Sequence, residues 1–156
     1  MSYNRQFMLQ AIEVAQQNIE KGGGPFGAVI VKNGEVIVSI GNSVTIDNDP
    51  TAHAEVNAIR QACKQLGTFD LSGCEIYSSC EPCPMCLSAI YWAHIDTLYY
   101  GATKDDAAAA GFDDSFIYHE LSLATDKRRL ATHQYEHTTA RHPFDIWNAK
   151  IDKTEY

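Results

Sequence analysis

The sequence predicts an α/β fold. Helix-like and strand-like segments alternate along the chain, an Asn-Gly pair joins the first two strands, and the later strands are followed by segments with helix start and stop signals. Residues 5–21 open as a helix, with Met8, Ile12, Ala15 and Ile19 recurring at the 3–4 residue spacing of one face. Gly22-Gly23-Gly24-Pro25 stops it. Residues 28–31 and 36–40 are short β-branched runs around Lys32-Asn33-Gly34-Glu35, a strong hairpin signal. A loop over 45–50 leads to a helix over 51–66, with Asp49 as cap, Pro50 in the first turn and Gly67 as stop. Residues 74–79 read as a third strand, 83–93 as a helix started by Pro84, and 97–100 as a fourth strand. Thr103-x-x-Asp106 matches a capping box for a helix over 103–110, with Gly111 as its stop. Residues 121–135 have room for a short helix and a further strand, and the pattern from His142 onward is ambiguous. The alternation predicts a mostly parallel sheet after the first hairpin. With no internal repeat or linker, residues 1–156 are expected to form one domain.

Composition narrows the class. A chain of 156 residues, 45% hydrophobic and 21% charged, has room for a real core. No apolar run approaches the roughly 20 residues that span a bilayer. No basic stretch leading into an apolar one opens the chain, so the expected home is the cytoplasm. The five cysteines fit that compartment: an odd count containing C-x-x-C argues for metal ligation and reduced thiols. Cys63 and Cys74 lie in apolar stretches and read as small buried hydrophobes, and Cys80 reads as packing beside the metal motif. The net charge of −8, with Lys127-Arg128-Arg129 as the one basic run, argues against a nucleic-acid partner. A small neutral molecule fits better.

Two stretches carry the chemistry. Thr51-Ala52-His53-Ala54-Glu55 and Cys80-Glu81-Pro82-Cys83-Pro84-Met85-Cys86 offer three zinc ligands, His53, Cys83 and Cys86, with a carboxylate two residues past the histidine. Structural zinc sites close with four protein ligands, whereas catalytic ones use three and leave a place for water. Cys80, His94 or Cys74 would have to supply a fourth ligand, and none has a spacing that recommends it. Zinc brings the pKa of bound water from 15.7 towards about 7, so three ligands plus Glu55 specify activated water. Glu55 would take the water's proton and pass it to a ring nitrogen and then to the leaving group. Both stretches fall at helix N-termini after strand ends, where the positive helix end favours thiolates.

His-Ala-Glu followed by Pro-Cys-x-x-Cys resembles the cytidine deaminase-like zinc deaminases. The resemblance extends past these motifs. Gly24 to Val31, Asn48 to Glu55, Ser79 to Tyr91 and Gly111-Phe112-Asp113-Asp114-Ser115-Phe116 are similar to the bacterial guanine deaminases of this superfamily. It implies a three-layer α/β/α fold with a five-stranded mixed sheet, one Zn2+ per subunit, and conversion of guanine to xanthine and ammonia. It also implies a pocket for a purine base: Asn42 bonding the base edge, Phe26 on its ring face, the Ala54 backbone N–H meeting a carbonyl, and Trp92 as a wall. A second carboxylate, Asp114 or its neighbour Asp113, would protonate the departing ammonia. The resemblance further implies a homodimer exchanging C-terminal segments, with Tyr156 over a pocket, whether its own or its partner's. The competing readings are a deaminase of cytosine or an aminotriazine, one acting on tRNA adenosine, and a zinc-binding module without activity.

Overall fold

The structure, a computed structural model, describes residues 2–156, which divide into two compact units, one ending at Ser115 and the other Phe116–Tyr156. No helix among the described residues is long and apolar enough to cross a membrane.

The first unit is built on a four-stranded sheet in the order β2-β1-β3-β4. Its strands are β1 (Gly27–Lys32), β2 (Glu35–Gly41), β3 (Cys74–Cys80) and β4 (Thr97–Ala102). Asn33 and Gly34 both take positive φ, 52° and 79°, the pair of left-handed residues that an Asn-Gly hairpin turn requires. β1 runs antiparallel to both β2 and β3, and only β3 and β4 are parallel neighbours. The sheet is therefore mixed, rather than mostly parallel beyond the hairpin. The chain crosses from β2 over β1 to reach β3, which leaves β1 as the one strand pointing the other way. That topology places the start of β1 on the same edge as the ends of β2, β3 and β4.

Helices cover both faces. Helix α1 (Arg5–Glu20) packs Met8 and Ala11 against Val29, Val31 and Tyr77. On the other face α3 (Ala54–Leu66) and α4 (Pro84–Trp92) bury Ala54, Ala58, Ala62 and Ile90 against Ala28, Ile30, Val38 and Ile76. Alternate residues of β1 thus serve opposite layers, as the period of a strand dictates. The face of α1 differs from the expected one by a small rotation: Asn18 is buried while Ile19 stands exposed.

Several boundaries also shift. The expected loop over 45–50 contains a short helix, α2 (Val44–Asp47), closed by Asn48 in the left-handed region. Asp49 does not cap α3. Its Oδ1 accepts the Thr51 backbone N–H at 2.8 Å in a local turn, and the helix begins three residues later than expected. The capping box at Thr103 is present and starts α5 (Lys104–Ala109).

The C-terminal unit contains most of α6 (Ser115–Ser122), a short 3-10 turn at Thr125–Lys127, α7 (His137–Ala140) and α8 (His142–Ala149). The further strand expected over 121–135 is not there, and the five-stranded sheet is four-stranded in this molecule. The stretch satisfies its polar groups locally. The Arg128 guanidinium donates to the Glu120 and Leu123 carbonyls, and the Arg129 N–H donates to the Glu120 carboxylate.

Candidate metal centre

α3 and α4 begin alike. His53 is the N-cap of α3 and Cys83 the N-cap of α4, both extended, and neither side chain caps its own helix. An N-cap side chain ordinarily turns back to accept the first free N–H groups. Here the two turn toward each other instead, and Cys86, one turn into α4, joins them. His53 Nδ1 lies 3.5 Å from Cys83 Sγ and 3.4 Å from Cys86 Sγ, and the three ligand atoms lie within 4.8 Å of one another.

These separations suit zinc. Tetrahedral bonds of about 2.05 Å to nitrogen and 2.3 Å to sulfur put the two atoms roughly 3.6 Å apart. Among the described residues this is the one His/Cys/Asp/Glu group assembled for a metal, and it supplies three ligands, the number of a catalytic site. Cys80 takes no part: its thiol donates to the Thr103 carbonyl at 3.6 Å, and burial pushes its pKa to about 11. His94 pairs instead with Asp70, at 3.6 Å.

The two sulfurs shift each other's acidity in opposite directions. A hydrogen bond from Cys86 and a second from His53 hold the Cys83 pKa down to about 4, while the same sulfur pair and burial push Cys86 upward. The bond to Cys83 raises the His53 pKa. A bound metal displaces these protons, since it takes thiolates and a neutral imidazole.

Glu55 occupies the second position of α3 and is 7% exposed. Burial raises its pKa, an effect its own backbone N–H opposes. Its Oε1 lies 3.1 Å from Ser78 Oγ on β3. Ala54, fully buried, is the first residue of α3, where backbone N–H groups have no acceptor within the helix.

The other expected residues divide. Asn42 is buried at the end of β2, and its Oδ1 accepts the Val44 and Gly24 backbone N–H groups at 3.2 and 3.4 Å. The oxygen is occupied, so the amide is left as a donor rather than as donor and acceptor alike. Phe26 precedes β1 and meets Phe112 edge-on, ring centroids 4.9 Å apart. Asp114 is half-buried, with its pKa raised by burial and by the charge on Cys83. Asp113 is exposed and spent on a turn: its Oδ1 accepts the Ser115 N–H at 2.9 Å, and bonds from Ser115 lower its pKa. Trp92 is not brought to the metal cluster. It ends α4, nine residues beyond Cys83 and thus about 13 Å along the helix, and is 66% exposed. Tyr156 belongs to the C-terminal unit and is exposed.

Two residues at the site have no motif to announce them. Asn18 Nδ2 donates to the Gly24 and Asn42 carbonyls, both at 2.7 Å, bolting α1 to the loop before β1 and to the end of β2. A polar residue at a helical-face position was its only sequence signal. Ser78 is the second.

The chain matches the model of the cytidine and deoxycytidylate deaminase zinc-binding region over residues 1–102. It is 51% identical to guanine deaminase of Bacillus subtilis over 151 residues, covering 96% of this chain and 97% of that one. The crystal structure of the B. subtilis guanine deaminase superposes with a TM-score of 0.96 at 49% identity, covering 99% of each chain. A tRNA-specific adenosine deaminase of Aquifex aeolicus is 46% identical over 96 residues, 62% of this chain and 64% of that one. A solved structure holding 2,6-diaminopurine matches with a TM-score of 0.69 at 35% identity, over 73% of this chain and 64% of that one. With the metal-binding stretches, the layered sheet and these likenesses in agreement, the chain belongs to the zinc-binding cytidine and deoxycytidylate deaminase family.

Proposed function

We propose that this protein hydrolyses guanine to xanthine and ammonia. The observation that carries this reading is the extent of the likeness. The adenosine deaminase matches span 62–79% of the chain at 33–46% identity, whereas the guanine deaminase match spans 96% at 51% and so takes in residues well beyond the family's zinc-binding region. Those later residues include Asp114.

Water supplies the oxygen that bonds to the ring carbon bearing the amine, the C–N bond breaks, and the nitrogen leaves as ammonia. His53, Cys83 and Cys86 would hold the zinc, which would supply the Lewis acidity that lowers the pKa of water towards about 7. Glu55 takes the water's proton and delivers it to a ring nitrogen. Its burial supports this role, because a carboxyl kept from water holds a proton more readily than an exposed one. Asp114 protonates the departing amine. Its half-buried setting favours it over Asp113, whose carboxylate is taken by the Ser115 turn. Asn42, with its oxygen occupied, donates its amide N–H to an acceptor on the base edge. Phe26 lies against the ring face and the Ala54 N–H meets the ring carbonyl.

The active form is a homodimer in which each subunit carries one deaminase domain and the C-terminal segments are exchanged, bringing Tyr156 over a pocket. No residue of 116–156 is buried within the chain, although the segment carries Leu130, Tyr135, Phe144 and Ile146. Tyr91 and Trp92 add a further exposed aromatic surface. Apolar surface on this scale calls for a partner. The reaction belongs in the cytoplasm, where thiols stay reduced.

Ammonia release from guanine, adenine, cytosine and cytidine tests the substrate. Guanine is expected to be the substrate turned over. Turnover of cytosine with guanine inert would leave the metal chemistry standing and overturn the substrate.

A further inference from the structure

We infer that Ser78 is a positioning residue for Glu55, its hydroxyl setting the orientation of the proton-carrying carboxyl. The inference rests on the role proposed for Glu55. Ser78 is 2% exposed in the middle of the sheet, paired with Ala28 on one side and Tyr100 on the other. Its Oγ lies 3.1 Å from Glu55 Oε1 and 2.6 Å from the Cys80 carbonyl oxygen.

Proton counting gives this contact its meaning. The hydroxyl has one hydrogen and lone pairs that accept, whereas a carbonyl oxygen can only accept. While Ser78 donates to Cys80, it meets Glu55 through a lone pair, and that contact is a hydrogen bond only when Oε1 carries a proton. When Glu55 has released its proton, the same hydroxyl can turn and donate to Oε1. One side chain therefore serves the carboxyl in both states it visits during turnover, with little movement of heavy atoms.

The 3.1 Å contact holds Oε1 toward β3 and so decides which way the second oxygen faces. Loss of a hydrogen bond to a charged group corresponds to a rate effect on the order of tenfold or more.

The test uses five purified zinc-loaded variants, Ser78→Ala, Ser78→Thr, Ser78→Val, Glu55→Gln and the double variant Ser78→Ala with Glu55→Gln, with zinc content, circular dichroism and steady-state guanine deamination measured for each. Thr and Val have nearly the same shape and differ in the hydroxyl. The expected result is about a tenfold or larger fall in kcat for Ala and Val with KM nearly unchanged, recovery of most of kcat in Thr, and normal zinc content throughout. If Thr and Val both fold poorly, the Ala variant decides. Ala with a kcat within twofold of wild type overturns the proposal, as does equal kcat in folded Thr and Val variants. A second readout is non-additivity: Ser78→Ala is expected to leave the residual turnover of Glu55→Gln unchanged, and a further tenfold loss would show that Ser78 does not act through Glu55. Full activity in Glu55→Gln would instead remove the role of Glu55 itself, a failure distinct from that of Ser78.

Discussion

Glu55 differs from an ordinary first-turn carboxylate in its surroundings. An exposed glutamate at the second position of a helix would stabilise the positive helix end, but here the group is buried beside three metal ligands and a serine hydroxyl. Glu55→Ala is expected to lower kcat on the order of 100- to 10,000-fold, the usual contribution of a positioned acid–base group, while zinc content stays at one per chain. Cys83→Ala gives the opposite separation. It removes a ligand, so zinc measured by atomic absorption falls well below one per chain and turnover falls with it. Loss of activity in Glu55→Ala accompanied by loss of zinc would mean that the carboxylate holds the site together rather than moving protons. His53, Cys83, Cys86 and Glu55 were legible because their chemistry depends on residue type and short spacing. Asn18 and Ser78 were not, because an asparagine on a helix and a serine in a strand acquire a role only from what another element places beside them.

Among the elements, the close fit of α1 to β1 fixes where this inner strand can begin. A Cβ on Gly27 would lie 2.4 Å from the Ala11 carbonyl oxygen and 2.8 Å from the Ala15 nitrogen. Both are helix backbone, so no side chain can swing away. Gly27→Ala should therefore cost about 1–3 kcal/mol, the range for overpacking, and a denaturant midpoint measures it. Gly41→Ala provides a comparison, since its Cβ would meet the Asn18 side chain at 2.3 Å. Asn18 is the bolt through this corner, so crowding it should raise KM for guanine as well as lower stability. Helix stops and the hairpin were readable from Gly67, Asn33 and Gly34 because positive φ is a local demand. The start of α3 was not readable. Asp49 is a competent cap in isolation, but its oxygen is used by Thr51, and the helix waits for His53.

At the scale of the whole molecule the C-terminal 41 residues form a compact unit of their own, with Ile151 fully exposed and Ile146 and Phe144 about two-thirds exposed or more. A segment that buries none of its residues gains little to offset the entropy of ordering them. Removing residues 150–156 is expected to lower guanine turnover at least tenfold and to weaken the dimer in sedimentation velocity. Normal turnover with an unchanged dimer would remove the exchanged-segment arrangement and the place of Tyr156 in it. The sequence by itself determined the ligand set, the adjacent carboxylate, the α/β alternation and the hairpin, since each depends on residue type within a few positions. Only the tertiary structure decided the strand order, the four-stranded sheet of the described residues, the occupied amide oxygen of Asn42 and the contact of Ser78 with Glu55. Those depend on which segments, dozens of residues apart, satisfy one another's hydrogen bonds, and local spacing holds no record of that choice.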